Sequence, residues 1–504
     1  MGLELGRVIH LFLEGWLADP TLTGWLSRPA LLCLLLTCHA SNVAGQTIAG
    51  IDSPNIVFIL VDDQGWTGTS LEMDKERGDS KSDYYQTPAF EKLAHEGMRF
   101  SNAYASSPIC SPTRASLQTG KNSAQLHITD IIGSSDTTER RYKALYTNKK
   151  LIPPLPRSGL DPAEITIAEY IKENRSEYKT AHFGKWHLGS GGPGSHGYDE
   201  HDGDTANLDD LQEESDPKKT FSVSKRAMEF MSTQARIHRP FFMQVSYYAV
   251  HLKIRNLKST QERYESFPKG QNHNDSAYAA MTEDLDTGVG QVLEKIKELG
   301  IADNTYVIYF SDNGAYMSLN KVVTSNLPLA KGKCFVWEGG IRVPLVIKGP
   351  GIQSNTQSDV PVVAYDFFPT IKSILNIKAP LPAGLEGGDL MPLLTTSENS
   401  RVARLREEIV WHFPHYVDSK GVTPQSAIRM GDFKLIHMYE TGEDFLYNLK
   451  DDLGETKNLA KSNPAQARSL REKLDQYLEA IDAGMPTSPP HHNASDSARP
   501  LPAL

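Results

Sequence analysis

The chain has 504 residues, of which 39% are hydrophobic and 23% are charged, and its formal net charge at pH 7 is −10. This length exceeds what one hydrophobic core usually holds, so we expect a large domain and a smaller one in a soluble protein of ordinary composition. Because phosphate binding needs a basic face, the acidic balance argues against nucleic acid as the main partner. A few local cations are still enough to bind an anionic substrate.

Residues 1–45 have the proportions of an export signal. Arg7 and Arg28 precede the apolar run Ala30–Leu36, and small residues follow this run near Ala44. The run is shorter than a helix that spans a bilayer, so it predicts a signal peptide, with a membrane anchor as the alternative. We therefore expect an exported protein (periplasmic, extracellular or lysosome-like) without a stable membrane span.

The cysteine content is low for an exported chain. Two of the four cysteines, Cys33 and Cys38, lie in the predicted signal, which leaves Cys110 and Cys334. Two cysteines are too few for a framework of disulfide bonds, so each of them needs its own explanation.

Strands and helices alternate along residues 52–395. Continuous β-branched and aromatic runs at 55–61 and 305–310 are typical of strands that are buried on both faces, and a helical stretch at 284–299 precedes the second run. Further strands are predicted at 240–248 and 342–347. This alternation predicts an α/β domain over 52–395, built on a large, mostly parallel sheet that is flanked by helices.

The pattern changes after about residue 395. Short strands separated by Gly, Asp or Asn turns predict an antiparallel sheet, and Asn463-Pro464 starts a helix with one apolar face. We expect a smaller C-terminal unit at 396–483 and a disordered tail at 484–504. The predicted strands are 408–411, 427–430, 434–437 and 444–447, and the apolar face comprises Leu470, Leu474, Tyr477, Leu478 and Ile481. The aromatic and histidine-rich stretch Trp411–Tyr416 could line a pocket or belong to the core.

Polar residues follow both of the strongly apolar strands. Asp62 and Asp63 end the first strand, and Asp312 and Asn313 end the second. In an open α/β sheet, functional groups collect beyond the carboxyl ends of the strands, so these four side chains are expected to meet. Three carboxylates and an amide form an all-oxygen site that suits Ca²⁺ or Mg²⁺. Each motif by itself is also ordinary turn chemistry before a glycine.

The segment from Cys110 to Lys121, CSPTRASLQTGK, carries the most specific pattern in the chain. Pro112 suits the first turn of a helix and so places Cys110 at the helix N-terminus. Arg114, one turn further on, is expected to face the same site. A helix N-terminus and a guanidinium both favour a bound sulfate, whereas the alternative interpretation is a buried structural cysteine.

This segment resembles the signature of the sulfatase family, in which C-x-P-x-R directs the oxidation of the cysteine to formylglycine. The matching positions are Cys110, Pro112, Arg114, Leu117, Thr119, Gly120 and Lys121. The resemblance implies an alkaline-phosphatase-like fold, a formylglycine at residue 110, and a formylglycine-generating enzyme as a partner during maturation.

Other segments resemble the same family in the same order. Gly184–Gly189, GKWHLG, implies that Lys185 contacts the sulfate and that His187 serves the aldehyde hydrate. His251 is similar to the family histidine at the leaving-group oxygen, although the flanking prolines of the family are absent here. Lys333, rather than Lys331, has the spacing of the family lysine ahead of its E-G-G-x-R segment.

The resemblance implies a hydrolase that releases sulfate from a sulfated carbohydrate or an aryl sulfate. Arg114, Lys185 and Lys333 would surround the transferring group. They would act by positioning it and by electrostatic stabilisation, as in phosphoryl transfer. His251 or Lys333 would protonate the leaving oxygen, and His187 would take the proton that lets the hydrate expel sulfate. The implied metal ligands are Asp62, Asp63, residue 110, Asp312 and Asn313, with Ca²⁺ preferred over Mg²⁺ because a crowded oxygen site suits its flexible geometry.

Three alternatives stay open at this point. A phosphonate or phosphate ester hydrolase of the same superfamily would share the nucleophile and the metal. A non-catalytic binding protein on this scaffold should have lost one of the motif residues, and none is lost. A zinc enzyme that resembles alkaline phosphatase would need a Ser or Thr nucleophile and a His-rich two-metal site, and the strand-end motifs offer no such histidines.

Overall fold

The computed structural model of the chain describes residues 53–133, 146, 148–207, 213–317, 323–396 and 401–489. The predicted signal peptide at 1–45 lies outside the described residues, as does the predicted tail beyond residue 489. No helix in the described part of the chain is long and apolar enough to cross a membrane. The division of the chain at residue 395 stays a prediction.

Among the described residues, eight strands form the central sheet, in the order β5-β4-β6-β1-β7-β8-β2-β9. Its neighbouring strands are parallel, except that β8 runs antiparallel to both β7 and β2. The strands are β1 Asn55–Val61, β2 Met98–Phe100, β4 Lys179–Gly184, β5 Glu200–His201, β6 Phe241–Ser246, β7 Thr305–Ser311, β8 Leu345–Lys348 and β9 Thr356–Ser358. A short parallel pair, β3 Ala103–Tyr104 with β10 Val362–Val363, lies apart from this sheet. The predicted mixed, mostly parallel sheet is confirmed.

The strand β1 lies in the middle of the sheet because every one of its residues is apolar enough to be buried, apart from Asn55 at its start. Its side chains alternate between two hydrophobic cores, as the period of two in a strand requires. Ile56, Phe58 and Leu60 enter one core, whereas Val57, Ile59 and Val61 enter the other. Both faces of the sheet are therefore covered by other elements.

Helices supply that cover. They are α1 Pro88–Glu96, α2 Cys110–Thr119, α3 Ile167–Asn174, α4 Thr220–Arg236, α5 Lys258–Glu265, α6 Ser276–Glu298, α7 Glu338–Ile341, α8 Phe367–Ile374 and α9 Met391–Thr395. The predicted start of α6 at residue 284 was wrong, because the Asp275 carboxylate caps the helix by accepting the N–H groups of Ala277 and Tyr278. The start of β8 was also wrong, since Arg342 is the C-cap of α7 and the strand begins at Leu345.

A second, antiparallel sheet follows, in the order β11-β12-β13-β14. Its strands are Ile409–Phe413, Gln425–Met430, Phe433–Met438 and Glu443–Asn448, and the helix α10 spans Pro464–Ala480. One face of this sheet packs on the apolar side of α10, where Leu470 and Leu474 meet Ile428 and Leu435. The predicted C-terminal antiparallel sheet with its helix is confirmed.

Candidate active site

The ends of β1 and β7 bring four polar side chains together. Because the two strands are parallel neighbours, Asp62 and Asp63 lie beside Asp312 and Asn313. The Asp63 N–H donates to Asp312 Oδ1 at 3.1 Å, and Asn313 Nδ2 donates to Asp63 Oδ1 at 2.7 Å. All four side chains are buried. Each of the two strand-end motifs is ordinary turn chemistry by itself, but together they form one acidic group.

This group has the composition of a metal site. Single oxygens of Asp62, Asp63 and Asp312 and the Sγ of Cys110 all lie within 4.8 Å of one another. The Oδ1 of Asn313 is buried, and it has no hydrogen-bond partner among the described residues. A buried acceptor without a partner is rare, and beside three carboxylates it fits a hard divalent cation. The residues present therefore suit the metal that the sequence predicts.

Cys110 lies at the N-terminus of α2, as Pro112 in the first turn predicts, and only 1% of its surface is exposed. Its Sγ lies 3.4 Å from Asp62 Oδ1 and 3.4 Å from Lys333 Nζ. Burial raises the pKa of the Cys110 thiol, and the Asp62 carboxylate raises it further. An unmodified thiol at this position is therefore protonated and a weak nucleophile.

Arg114 faces the same group from one turn further along α2. Its Nε and Nη2 lie 2.9 Å and 2.8 Å from Asp312 Oδ2, and its Nη1 donates to the Lys185 carbonyl. Burial and the Asp62 carboxylate raise the pKa of Asp312 to about 6, although the guanidinium of Arg114 opposes this shift. The guanidinium thus joins the end of β7 to the end of β4.

Lys185 follows directly after β4, and its Nζ lies 2.6 Å from Asp62 Oδ2. Burial raises the pKa of Asp62, but Lys185 and the other cations lower it more, so the carboxylate is ionised. The preceding Gly184 has φ 93°, and a Cβ there would lie 1.9 Å from the Ser246 carbonyl oxygen. Only glycine therefore allows the chain to turn Lys185 into this site.

His187 lies in the left-handed region with φ 61°, and its N–H donates to the Thr205 carbonyl at 2.7 Å. Its Nδ1 is buried and has no hydrogen-bond partner among the described residues. Burial and the charge of Lys185 lower the pKa of His187 to about 2. The imidazole is therefore neutral, which is the form that accepts a proton.

Lys333 and His251 both lie close to the Asp63 carboxylate. The Lys333 Nζ lies 2.6 Å and 2.8 Å from the two Asp63 oxygens, whereas His251 Nε2 lies 3.9 Å from Asp63 Oδ2. Burial and Lys333 lower the pKa of His251 to about 4, in spite of Asp63. The His251 side chain is 16% exposed, so it lies on the open side of the group.

The segment Trp337–Pro344 positions Lys333 rather than contacting the site itself. The Gly314 N–H donates to the Gly340 carbonyl at 2.9 Å, and the Lys333 N–H donates to the Ala315 carbonyl at 2.9 Å. A Cβ at Gly340 would lie 1.9 Å from the Phe335 carbonyl oxygen. The two glycine-containing segments are thus packed backbone to backbone, which fixes Lys333 relative to the end of β7.

Sequence reasoning missed a second buried group of charges, here called the Glu338 cluster and comprising Glu338, Arg342, Lys434 and Glu455. Glu338 pairs with Arg342 at 2.7 Å and with Lys434 at 2.9 Å, and Lys434 pairs with Glu455 at 2.8 Å. This cluster joins α7 to the C-terminal sheet. The family resemblance covered Glu338, Arg342 and Glu455, the last in a segment that resembles the C-terminal hairpin region of the family, but no local pattern marked Lys434 as their partner.

The stretch Trp411–Tyr416 belongs mainly to the core. Trp411 is fully buried, and its Nε1 donates to the Ala105 carbonyl at 2.7 Å. Lys420, also from the C-terminal part of the chain, lies beside the segment that follows β7, since its Nζ is 4.0 Å from the centre of the Tyr316 ring. Lys420 lies in a loop without a recognisable motif, so the sequence carried no signal for it.

Comparisons with known proteins agree with these features. The family model described as Sulfatase matches residues 54–377, and that of the N-sulphoglucosamine sulphohydrolase C-terminal region matches residues 331–483. A protein named Sulfatase from Formosa agariphila is 30% identical, over 85% of this chain and 88% of the relative. The N-acetylgalactosamine-6-sulfatase of Canis lupus familiaris is 28% identical, over 74% of this chain and 70% of the relative.

Solved structures share the fold at lower identity. A protein solved in complex with its substrate, D-Glucosamine-2-N, 6-O-disulfate, has a TM-score of 0.65 and is 21% identical. The match covers 85% of this chain and 98% of that one. The central sheet and the C-terminal sheet therefore belong to one known architecture.

Proposed function

This chain belongs to the sulfatase family and is a sulfuric ester hydrolase, and on this premise we propose that it releases sulfate from a sulfated sugar, with an oxidised residue 110 as its nucleophile. Aryl sulfates would serve as reporter substrates. The proposal includes export of the chain and its maturation by a formylglycine-generating enzyme.

The observation that carries the proposal is the convergence of three buried cations on Cys110. Arg114, Lys185 and Lys333 are each paired with a different carboxylate of the strand-end group. In a buried site such charges are fixed in advance, so they can stabilise the charge that develops on sulfuryl oxygens. A merely structural cysteine would not need three cations around it.

The carboxylates of Asp62, Asp63 and Asp312 and the amide oxygen of Asn313 would hold Ca²⁺. When bound, the ion supplies positive charge that lowers the pKa of a neighbouring hydroxyl. Residue 110, as formylglycine hydrate, supplies two geminal hydroxyls. The cations bind and orient the sulfate, and the neutral imidazole of His187 accepts a hydroxyl proton. His251, on the open side, gives a proton to the leaving sugar oxygen once the negative charge of the bound sulfate has raised its pKa from about 4. Lys333 is the second candidate for this role.

A sugar substrate is supported by two of the compared proteins. One is named for N-acetylgalactosamine 6-sulfate, and the other was solved with a sulfated glucosamine. The open position of His251 is consistent with a leaving group that extends away from the buried cations. The sugar and the position of its sulfate are to be identified with a panel of sulfated saccharides scored for released sulfate.

Peptide mass spectrometry of active enzyme tests the proposal. Residue 110 should carry an aldehyde, whereas Cys334, the other buried cysteine, serves as an internal control and should stay a thiol. Fully active material with an unmodified Cys110 would rule out the proposed nucleophile.

A further inference from the structure

Lys420 is a buried cation whose Nζ lacks a hydrogen-bonding partner in the part of the chain that the structure describes. Its surface is 7% exposed, and its Nζ has no hydrogen-bond partner among the described residues. An ammonium group carries three donors, and burying it without an acceptor is costly. The ring of Tyr316 offsets part of this cost, because Nζ lies 4.0 Å from its centre. The remaining donors are free to bind an anion.

The position of Lys420 ties it to the active site. Tyr316 lies four residues after Asp312 on the segment that follows β7, so the ammonium stands over the same loop that carries the strand-end acids. Burial lowers the pKa of Lys420, the charge of Lys333 lowers it further, and the Asp63 carboxylate opposes both effects. The charges of the site therefore act on Lys420 although none of them pairs with it.

Lys420 is also different from the three cations of the site. Arg114, Lys185 and Lys333 each have a carboxylate partner and approach from the large sheet. Lys420 comes from the C-terminal part of the chain, in the loop between β11 and β12. Lys420 thus belongs to a different part of the chain from the other cations and lies beside an aromatic ring. It is therefore suited to bind another part of the substrate rather than the sulfate group that is hydrolysed.

We propose that Lys420 binds a second anionic group of the substrate, beside the sulfate ester that is hydrolysed, so that the enzyme prefers saccharides with two neighbouring negative charges. The inference rests on the proposed function. The second group is a sulfate ester or a uronate carboxylate, since both offer the oxygen acceptors that an ammonium needs.

The test compares substrates that differ only in the second charge. Released sulfate is measured for a monosulfated hexosamine, for the same sugar with a second sulfate, and for the same sugar linked to a uronic acid. Wild-type enzyme should show a kcat/KM that is about ten- to hundredfold higher for at least one two-charge substrate, the range expected for a hydrogen bond to a charged group. The comparison of the doubly sulfated sugar with the uronate-linked sugar shows whether Lys420 binds a sulfate or a carboxylate.

Variants then assign the preference to Lys420. Lys420→Met removes the charge but keeps a long, unbranched side chain, and it should bring the ratio of the two kcat/KM values close to one. Lys420→Arg keeps the charge and should keep most of the preference. Lys450→Met removes the same charge from an exposed position and should leave the ratio unchanged. An equal loss on all three substrates, or an unchanged ratio in Lys420→Met, would overturn the inference.

The wild-type measurement alone keeps the inference falsifiable if Lys420→Met does not fold. If wild-type enzyme cleaves the monosulfated sugar with the same kcat/KM as both two-charge sugars, it has no second anion subsite. A wild-type enzyme that releases no sulfate from any of the three sugars or from an aryl sulfate contradicts the proposed function itself. The two failures are therefore distinguishable.

Discussion

Two buried groups of charge in this molecule differ in how completely their members are paired. In the Glu338 cluster, each charged group has an opposite charge within 2.9 Å. In the candidate active site the cations also have carboxylate partners, but the Asn313 Oδ1 and the His187 Nδ1 have no hydrogen-bond partner among the described residues. Complete pairing is what a structural network needs, because an unpaired buried group destabilises the fold. Incomplete pairing is retained where a metal or a substrate supplies the missing partner.

The largest effect is expected for Asp312→Asn, which removes a carboxylate from the incompletely paired group. The variant should lose bound metal and lower kcat/KM by roughly a thousandfold or more, since Asp312 both contributes to the metal site and holds Arg114. The variant should still fold, because the repulsion from Asp62 that raises the pKa of Asp312 is removed together with the ion pair to Arg114. Metal analysis and sulfate release measure both effects, and an enzyme that stays active after exhaustive chelation would contradict the assignment.

Glu338→Gln should show the opposite behaviour. It leaves Lys434 and Arg342 buried with less compensating charge, so the free energy of unfolding should fall by about 3–5 kcal/mol. The kcat of the remaining folded enzyme should change little. Denaturant unfolding checks this, with the exposed Glu443→Gln as a control that shifts stability by less than about 0.5 kcal/mol. A strong loss of kcat at unchanged stability would place Glu338 in the chemistry.

The two histidines should fail at different steps. His187→Ala should release a burst of about one equivalent of alcohol per enzyme and then turn over at least a hundredfold more slowly, because its proposed task follows departure of the alcohol. His251→Ala should be impaired mainly on sugar sulfates, whose poor leaving groups need a proton, and less on activated aryl sulfates. Equal defects on both substrates would transfer the acid role to Lys333.

The smallest effect concerns pH and the Glu338 cluster. Burial raises the pKa of Glu455 from 4.5 to about 7. The charge of Lys434 opposes this rise, and the charge of Glu338 adds to it. The folded state therefore holds this proton more tightly than the unfolded state, and the contribution of Glu455 to stability grows as the pH falls from 7 toward 4.5. Glu455→Gln should remove this gain, which is at most about 3 kcal/mol for a pKa that rises from 4.5 to about 7. Unfolding midpoints of both proteins at several pH values measure it.

The sequence predicted those features that are encoded locally. The strand β1 is a continuous apolar run, and the helix at Cys110 has Pro112 in its first turn and Gly120 at its end, so their structures follow from neighbouring residues. Lys420 and Lys434 depend instead on how the C-terminal sheet packs against distant loops. A single lysine in a loop is indistinguishable from a solvated one until that packing is known.

Conformation at the ends of elements was predicted less well for the same reason. The start of α6 depends on a cap at Asp275, where the apolar periodicity had suggested a start nearer residue 284. The strand β8 is shortened because the chain from Glu338 is drawn into a helical turn by contacts with Lys434 and Glu455. Those contacts join residues roughly a hundred positions apart, so no local window contains them.

The central position of β1 has a consequence for synthesis. This strand leaves the ribosome among the first, yet its first neighbour in the sheet, β6, follows only after a separation of 186 residues, as between Asn55 and Phe241. At about 5–20 residues per second the wait lasts on the order of ten to forty seconds. During that time an apolar strand is unpaired and open to aggregation, and Cys110 is not yet enclosed by Asp312 and Lys333. A chaperone and an enzyme that oxidises Cys110 would thus compete for one nascent chain during the same interval.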